Sequence, residues 1–435
     1  MPTLLQLNSV VNSGSTGHIA EDISRLAIAN GWESYIAYGR KALPSGSHLI
    51  RIGTKADVLW HVLVTRLFDL HGLASRYATK KLVRQIKKIK PDVIHLHNIH
   101  GYYVNYKILF KYLAESGTPV VWTMHDCWAA TGHCPYYTFV QCIVWQSEGG
   151  CANCPQKRGY PSSVLFSNAA YNFKCKKKYF NLLSENQLTI VAPSKWLSDE
   201  IGKSYLGHYR RKVINNGIDL EIFKPSAKRS TSRKKYTILG VASVWDERKG
   251  LMDFIKLADF LHADEEIVLV GLNDNQIDSL PKDKNIRGIR RTESQKELAE
   301  VYAQSLCFVN PTYEDTFPTT NMEALACGTP VITYRTGGSP EIVDDETGFV
   351  VEQGDITAVR KCIDKVKELQ LSEKCRKRAV RLFSKEERFK EYVKLYEEVL
   401  NNKIIQELCG GGGGNTNAGD VICSVKRLLF ATCLL

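Results

Sequence analysis

Short apolar runs recur along the chain and alternate with segments whose apolar positions repeat at helical spacing. The first run covers 4–11, and a helical pattern follows from Ile19 to Ile28. Further strand-like runs lie at 34–38, 93–96, 120–124, 189–192, 212–214, 236–242, 267–270, 306–309 and 331–334. Strands that alternate with helices in this way favour parallel, doubly wound sheets. We therefore predict an α/β fold.

The segment from Asn310 to Val331 has the pattern of a strand, a loop, a helix and a second strand. A polar stretch at 312–320 leads into helix-forming residues at 322–326, and Gly328 ends them. Asp315 is therefore a loop acid and Glu323 a first-turn helix acid, both near the C-terminal end of a strand. Open α/β sheets bind ligands at that place. An acid there can also do no more than cap a helix, so both interpretations stay open.

A second polar segment follows the run at 236–242 and contains Arg248, Lys249 and Gly250 at the start of a helix. A helix N-terminus with adjacent cations concentrates the positive charge that a diphosphate requires. We predict that this segment binds a diphosphate and that no catalytic metal is needed. The alternative is a basic helix start that only contacts solvent.

Together the two segments resemble the retaining glycosyltransferases of family 4, which have the GT-B fold. The resemblance depends on the acid-x7-acid spacing of Asp315 and Glu323 and on the pair Lys249-Gly250. It implies that Asp315 contacts the transferred sugar, Glu323 binds the ribose of a nucleotide donor, and Lys249 holds the donor diphosphate. It also implies two Rossmann-like, doubly wound domains that face a cleft and close on the donor.

Two features depart from the family pattern. Asp315 stands where most members have glutamate, and Ser243 and Val244 stand where an arginine is frequent after the strand. We expect Arg248 to substitute for that arginine.

The resemblance covers roughly residues 1–400 and places further residues in the cleft. A glycine-rich turn at 14–17 lies between the first strand and its helix, where glycine lets the backbone approach a ligand closely. His125, at the end of a strand, is implied to lie against the donor sugar. The residues assigned to catalysis are His125, Lys249 and Asp315. Those assigned to substrate binding are Gly14, Ser15, Thr16, Gly17, Asp126, Arg248, Thr316, Phe317, Pro318 and Glu323.

A chain of 435 residues with 44% hydrophobic content is too long for one ordinary core and suits two α/β domains. We place them at 1–216 and 217–384, because Asn216-Gly217-Ile218-Asp219 resembles the asparagine-glycine-x-aspartate turn of the family. The GT-B resemblance implies that a helix at about 385–402 packs back on the first domain. The tail at 409–435 contains five consecutive glycines, and we predict that it is disordered.

Charge is unevenly distributed along the chain. The net charge is +12, yet residues 1–212 contain 26 Lys and Arg against 12 Asp and Glu. Basic residues cluster in a helical pattern at 76–90 and again at Lys174, Lys176, Lys177 and Lys178. Such helices bind anionic membrane surfaces, although a solvated helix face is an equally good interpretation. No DNA- or RNA-binding motif accompanies the charge, so we expect no nucleic-acid partner.

The chain has 13 cysteines, and its start, Met1-Pro2-Thr3, has no basic region of the kind that begins a signal peptide. We therefore expect a reduced, cytoplasmic setting, on the inner face of the plasma membrane if the basic helices bind lipid. Cys134, Cys142, Cys151 and Cys154 lie within 21 residues and include one C-x2-C pair. Four such thiols predict a structural zinc site, with buried free cysteines or redox chemistry as alternatives.

Histidines also gather after a strand, at His95, His97 and His100. Their alternating spacing permits a metal site, but histidines of the core or of a cleft wall are commoner. Asp126 follows His125 and either orients that ring or bonds the backbone.

The function implied by the resemblance is sugar transfer from a nucleotide-sugar donor to a glycan or polyprenyl-linked acceptor. Configuration would be retained, and the role would be synthesis of a cell-surface polysaccharide. Two alternatives remain open. A nucleotide-sugar epimerase has the same fold but requires a further pair of carboxylates, and an inactive glycan-assembly partner would explain Asp315 and the absent arginine.

Overall fold

The computed structural model describes residues 1–226 and 235–410. It contains two parallel sheets, one of seven strands and one of six. The strands of the first sheet are β1 (Thr3–Asn8), β2 (Glu33–Tyr38), β3 (His48–Arg51), β4 (Val93–Leu96), β5 (Val120–Thr123), β6 (Leu188–Ala192) and β7 (Arg210–Val213). Their order is β3-β2-β1-β4-β5-β6-β7.

The helices around this sheet are α1 (Gly14–Ala29), α2 (Lys55–Phe68), α3 (Arg76–Ile89), α4 (Tyr106–Ser116), α5 (Ala169–Phe180) and α6 (Lys195–Gly202). Residues of α3, α4 and α5 share one core with alternate residues of the central strands. Residues of α1 share a second core on the opposite face. Helices on both faces of a parallel sheet make the first domain doubly wound, as the sequence predicts.

The second sheet has the order β10-β9-β8-β11-β12-β13. Its strands are β8 (Tyr236–Val241), β9 (Glu265–Val270), β10 (Ile286–Ile289), β11 (Cys307–Asn310), β12 (Val331–Tyr334) and β13 (Gly348–Val351). The helices that accompany it are α7 (Leu251–Leu257), α8 (Asp274–Asp278), α9 (Gln295–Gln304), α10 (Thr319–Ala326), α11 (Ser339–Ile342), α12 (Ile356–Glu368) and α13 (Ser372–Phe383). Helices again lie on both faces, with α9, α10 and α13 on one and α7 and α12 on the other.

The last helix, α14 (Lys385–Gly410), packs on the first domain. Phe389, Tyr392 and Tyr396 share a core with Ile19 and Ile23 of α1. Because α14 runs to Gly410, it is longer than the helix that we predicted to end near 402. The rest of the predicted tail, 411–435, lies outside the described residues.

The chain passes between the sheets at two adjacent points. Ile218 N donates to Phe383 O at 2.8 Å, and Lys385 N donates to Ile218 O at 3.1 Å. A Cβ on Gly217 would come within 2.3 Å of Lys385 Cα, so only glycine permits this close crossing. The segment that enters the second domain and the segment that returns from it therefore lie side by side.

A long segment, 124–168, lies between β5 and α5. All of it is described, and its one regular element is the 3₁₀ turn Val144–Gln146. It contains the four clustered cysteines. Trp128 and Trp145 of the segment are nevertheless buried in the main core of the first domain. Within residues 1–226 and 235–410, none of the helices combines the length and apolar character that crossing a bilayer requires.

Candidate functional site

A cleft lies between the two sheets, where residues that follow β1, β4, β8 and β11 come together. In each sheet the strand order reverses at this point, between β1 and β4 and between β8 and β11. Open parallel sheets bind ligands at such switch points. The cleft has a volume of about 340 Å³. Its lining includes Ser15, Thr16, Asn98, His125, Asp126, Tyr136, Asn216, Ser243, Trp245, Lys249, Asn310, Asp315, Thr316, Phe317 and Pro318.

Lys249 and Asp315 form an ion pair in this cleft, with 2.7 Å between Nζ and Oδ2. Lys249 ends a 3₁₀ turn, Glu247–Lys249, that the side chain of Asp246 caps. The next residue, Gly250, has a φ of +73°, and a Cβ there would come within 2.3 Å of Pro311 O. Only glycine lets this turn approach the loop after β11 so closely. The Lys-Gly pair thus brings the cation to the carboxylate.

Arg248 is bonded to two carboxylates and is not part of the cleft lining. Its guanidinium lies 3.4 Å from Glu314 and 2.8 Å from Asp246. Glu314 is buried and accepts a hydrogen bond of 2.9 Å from Phe139 N in the first domain. Arg248 therefore neutralises a buried carboxylate that connects the two domains. We predicted it as a donor-binding cation in place of the absent arginine, and in this arrangement its charge is already paired.

Glu323 lies in the second turn of α10, not in the first, because the helix begins at Thr319. Its neighbours Thr319 and Thr320 line the cleft, whereas Glu323 lies behind them. Tyr302 donates a hydrogen bond of 3.2 Å to the carboxylate. Burial raises the pKa of Glu323 to about 7, against the opposing effect of that hydrogen bond.

The glycine-rich segment Gly14–Gly17 forms the first turn of α1 and is not a loop before it. Ser15 and Thr16 line the cleft, while Gly14 and Gly17 do not. The first N–H groups of a helix have no intrahelical partner, and α1 has neither an acidic first-turn residue nor a side-chain cap. This end of α1 therefore favours an anion in the cleft.

His125 follows β5 and ends a hydrogen-bond chain that starts in the core. His97 Nε2 lies 2.7 Å from Gln6 Oε1, and His97 Nδ1 lies 3.2 Å from His125 Nε2. Gln6 donates through its Nε2 to Ala20 O, which assigns its Oε1 as an acceptor. Burial lowers the pKa of His125 to about 4 and holds the pKa of His97 well below its usual range. Both rings are therefore neutral at pH 7.

These bonds also assign the proton positions. A neutral His97 that donates through Nε2 to Gln6 must accept through Nδ1, so His125 donates to it through Nε2. The remaining nitrogen of His125, Nδ1, is then an acceptor. The wall of the cleft thus carries an imidazole that can accept a hydrogen bond from a ligand hydroxyl.

Asp126 bonds His100 and not its sequence neighbour His125. His100 Nε2 lies 2.9 Å from Asp126 Oδ2, and Trp128 N donates to Asp126 Oδ1 at 2.8 Å. Although burial opposes ionisation, His100 and the Trp128 amide hold the pKa of Asp126 below its usual range. His100 in turn lies 3.1 Å from Tyr160 OH. Asp126 is therefore an anion in the cleft wall that orients a second histidine.

Residues 316–318 connect the second domain to the first. Thr316 Oγ1 donates to His125 O at 3.1 Å, and Ser194 Oγ donates to Thr316 O at 2.9 Å. Phe317 is buried, and Pro318 precedes the first turn of α10. These bonds fix His125 and Asp315 relative to each other, although they belong to different domains.

The histidines in and after β4 are bonded to protein groups at both ring nitrogens. His95 lies 2.6 Å from Tyr396 OH and 2.8 Å from Thr123 Oγ1, and His97 and His100 have the partners given above. No nitrogen of the three is left for a metal in this arrangement, so they serve the core and the cleft wall.

Lys176 is buried, which corrects the predicted surface cluster of four lysines. Its Nζ donates to Trp128 O at 2.7 Å and to Thr131 O at 3.0 Å. Lys174, Lys177 and Lys178 are exposed on the other side of α5. The helical spacing of α5 explains the difference, because Cys175 and Lys176 fall on the face that meets the core.

Several cleft residues carry no motif that we recognised in the sequence. Tyr136 lies in the irregular segment, and its ring lies 5.7 Å from the Arg248 guanidinium. Asn98 follows β4 and Asn310 ends β11, and this position at the end of a switch-point strand was the available signal. Asn216 belongs to the turn that we used only as a domain boundary.

Two family models match consecutive parts of the chain. The model described as Glycosyltransferase Family 4 matches residues 17–222, and the model described as Glycosyl transferases group 1 matches residues 223–382. The chain belongs to glycosyltransferase family 4. Its two Rossmann-like sheets and the cleft between them are the GT-B fold of these transferases, as the sequence resemblance implies.

Individual relatives agree with this assignment. The glycosyltransferase is 24% identical over 376 residues to a protein named putative colanic acid biosynthesis glycosyl transferase WcaC of Escherichia coli, a match that covers 81% of this chain and 88% of the relative. It is 27% identical over 229 residues to the UDP-Gal:alpha-D-GlcNAc-diphosphoundecaprenol alpha-1,3-galactosyltransferase of Escherichia coli, covering 47% of this chain and 58% of that protein. Among solved structures, Anabaena Alr3699/HepE in complex with UDP has the same fold, with a TM-score of 0.61 at 15% identity over 92% of this chain and 100% of that one.

Proposed function

We propose that this glycosyltransferase moves a sugar from a nucleotide-sugar to a glycan or polyprenyl-linked acceptor, with retention of configuration, in cell-surface polysaccharide synthesis. One observation carries the proposal: Lys249 and the uncapped first turn of α1 line the same cleft from opposite domains. Together they offer a diphosphate one mobile cation and one set of fixed N–H donors.

The names of the relatives support both substrates. HepE was solved with UDP, and the Escherichia coli galactosyltransferase is named for a UDP-galactose donor and a diphosphoundecaprenol acceptor. WcaC is named for the biosynthesis of colanic acid. The family assignment favours transfer over epimerisation.

In the proposed reaction Lys249 leaves its pair with Asp315 and binds the donor diphosphate. The sugar then lies between Asp315 and His125, whose Nδ1 accepts a hydrogen bond from a sugar hydroxyl. As the bond to the sugar breaks, negative charge develops on the diphosphate, and Lys249 and the α1 terminus stabilise it. Glu323 bonds the ribose from behind Thr319, once nucleotide binding has moved its carboxylate off Tyr302.

The test is a panel of nucleotide-sugars, each incubated with the full chain with and without a synthetic polyprenyl diphosphate sugar. Transfer or slow donor hydrolysis is expected for one donor, and proton NMR of the new anomeric centre should show the donor's configuration. Isomerisation of the donor would favour the epimerase, and binding without turnover would favour the inactive partner. Activity that is lost in chelator and restored by magnesium would contradict metal-free diphosphate binding.

The acceptor side of the proposal includes a membrane surface. Helix α2 buries only His61 and Thr65 and exposes Leu59 and Trp60, at 70% and 60%. At its end the rings of Phe68 and Phe166 stack at 6.1 Å, and both are exposed. We define the apolar patch as Leu59, Trp60, Leu63, Phe68, Leu165 and Phe166.

Basic side chains occur on the same domain. Helices α3 and α5 both pack against α4, and each exposes several cations. They are Lys80, Lys81, Arg84, Lys87 and Lys88 on α3, and Lys174, Lys177 and Lys178 on α5. An exposed apolar patch and exposed cations on one domain match the interfacial region of an anionic bilayer.

Vesicle sedimentation tests this part separately. The full chain should bind vesicles of phosphatidylglycerol and phosphatidylcholine more strongly than vesicles of phosphatidylcholine alone, and salt should weaken the binding. The double variant Trp60→Ser/Leu63→Ser should bind less, whereas Lys361→Ala, an exposed cation of the second domain, should bind as the wild type does. Equal binding of the wild type and the double variant would exclude the patch.

A further inference from the structure

The segment 124–168 is far longer than loops without helices or strands usually are. Such loops are uncommon in compact domains unless they are functional or held by an additional constraint. This one carries Tyr136 into the cleft and Phe139 into contact with Glu314 of the second domain. The position of the segment therefore affects both walls of the site, so its conformation has to be fixed.

The segment contains five cysteines, and the four of the predicted zinc site, Cys134, Cys142, Cys151 and Cys154, all pack in or against the main core of the first domain. The thiols of Cys134 and Cys154 interact with each other, and those of Cys142 and Cys151 are near enough to interact electrostatically with Cys134. All four are free thiols. Backbone amides also point at two of the sulfurs: Gly132 N donates to Cys151 Sγ at 3.1 Å, and Gln156 N donates to Cys154. Amide donors of this kind stabilise thiolates.

A buried lysine lies beside this cluster. Lys176 is 1% exposed, its Nζ lies 3.6 Å from the centre of the Trp128 ring, and its hydrogen bonds go to two carbonyl oxygens. Among the described residues, no carboxylate oxygen lies within salt-bridge distance of it. A buried ammonium without an anion is costly. The neighbouring groups that can supply negative charge are first the thiols of Cys151 and Cys134 and then the carboxylates of Asp69 and Asp126.

The residue before Cys134 gives an independent indication of a ligand. His133 is fully buried and its Nδ1 lies 2.5 Å from Asp69 Oδ1, while its Nε2 has no hydrogen-bond partner. It is close enough to Cys154 to interact with it electrostatically. A carboxylate that holds one imidazole nitrogen and leaves the other bare is a common arrangement around protein-bound zinc.

The other group of potential metal ligands is less suitable. His262, Glu265 and Asp364 place donor atoms within 4.8 Å of one another. However, Arg360 bonds both carboxylates and Lys367 lies 2.8 Å from Glu265, so the negative charge is already balanced. No three donors of the cysteine cluster meet the same 4.8 Å spacing, so metal binding would have to draw these thiols together.

We propose that Cys134, Cys142, Cys151 and Cys154 bind one structural Zn²⁺ as thiolates, with Lys176 as a buried counter-charge. The site formed by Zn²⁺ and four thiolates has a net charge of −2, and the ammonium of Lys176 offsets part of that charge. The thiols release their protons when the metal binds. The role of the zinc is to hold the segment so that Tyr136 and Phe139 keep their places.

Metal analysis of the full chain, purified without chelator, tests the proposal. We expect about one zinc per chain, and Cys154→Ser should lose most of it. Cys362→Ser, a buried cysteine of the second domain, should keep it. Lys176→Met should keep the stoichiometry but release zinc faster to a chelator. Exchange of zinc for cobalt in the wild type should give the absorption of a tetrahedral cobalt thiolate, which does not depend on any variant folding.

Other outcomes would overturn the site. A folded protein with no zinc, whose cysteines react as free thiols, would show that they are ordinary core residues. An intact mass that reveals a disulfide among the four would also overturn it. If zinc is present but Cys154→Ser keeps it fully, the ion lies elsewhere in the molecule.

Discussion

The two walls of the cleft are built from different kinds of interaction. The second domain contributes ion pairs: Lys249 with Asp315 in the cleft, and Arg248 with Glu314 behind it. The first domain contributes neutral imidazoles, with His125 bonded to His97 and Gln6 in turn. Ion pairs therefore dominate the wall of the second domain, whereas neutral histidines, with the Asp126 carboxylate bonded to His100, form the wall of the first.

This difference suits the two ends of a nucleotide-sugar. The side chains of Lys249 and Asp315 are 30% and 19% exposed. Lys249 can therefore exchange its carboxylate partner for a phosphate at low cost in free energy, because water screens both ion pairs. A neutral, buried imidazole offers a fixed acceptor to a hydroxyl and cannot compete for the diphosphate. In the proposed reaction, Lys249 of the charged wall binds the diphosphate together with the first turn of α1, while the histidine wall orients the sugar.

The largest effect that we expect is acid lability of the histidine wall. The folded protein holds His125 with a pKa of about 4, well below the ordinary value of 6.5 that unfolding restores. As pH falls below about 6.5, the unfolded chain binds a proton at this histidine and the folded chain does not, so stability is lost progressively down to about pH 4. His125 alone would cost about 3 kcal/mol over that window, and His95 and His97 add to it.

Urea unfolding followed by circular dichroism, between about pH 7 and pH 4.5, measures this loss. His97→Gln should flatten the profile, whereas His48→Gln, an exposed histidine, should not. A stability that stays constant through this range would contradict a neutral histidine wall.

The second prediction removes the cleft cation of the other wall, Lys249. Lys249→Ala should lower the rate of transfer by about 100-fold or more, the usual cost of losing one preorganised charge on a leaving group. Initial rates with the active donor measure it, and Lys361→Ala is the control. Asp315→Asn should instead reduce kcat without weakening nucleotide binding, because it releases Lys249. If Asp315→Asn binds nucleotide as poorly as Lys249→Ala does, the division of roles between them is wrong.

The third prediction uses the opposite pH dependence of Glu323. Its folded pKa of about 7 lies above the ordinary value of 4.5, so its contribution to stability is complete below about pH 4.5 and is lost as pH rises through 7. Glu323→Gln should therefore be more stable than the wild type at about pH 8, by about 2 kcal/mol, and equal to it at about pH 4. Thermal unfolding at the two pH values decides this, and titration with nucleotide should show weaker binding. The same stability difference at both pH values would show that Glu323 does not titrate as a buried acid.

The smallest effect tests how the proton is placed on His125. Gln6→Leu removes the acceptor that fixes the N–H of His97 at Nε2, so His125 Nδ1 is no longer held as an acceptor. We expect about a tenfold lower kcat with little change in KM, the range seen for outer-shell partners of a functional imidazole. Ser24→Ala is the matched control, since it removes a bond to Gln6 Nε2 and leaves Oε1 in place. Equal kcat values for the two variants would show that Gln6 does not fix the proton position on His125.

Much of the fold could be predicted from the sequence because most strands are buried on both faces and appear as apolar runs. The three strands that we did not predict, β3, β10 and β13, are all edge strands. An edge strand is paired on one side only and is half exposed, so His48–Arg51 and Ile286–Ile289 mix charged and apolar residues and lack the run that marks a central strand.

The sequence by itself determined the charged wall of the cleft. Lys249 and Asp315 each lie just after a strand, beside turns whose Gly and Pro residues are visible in the chain, and both strands belong to one sheet. Adjacent parallel strands end at the same edge, so local pattern was enough to bring the cation and the carboxylate together.

Only the tertiary structure decided the partners of the buried groups. Arg248 bonds Glu314, Asp126 bonds His100, and His95 bonds Tyr396, which is 301 residues away along the chain. Burial makes each polar atom take whichever partner packing places beside it, since water is absent there. Sequence spacing records the period of a helix or strand, but it does not record which distant side chains meet inside the core, and so it could not identify the hydrogen-bond chain behind His125.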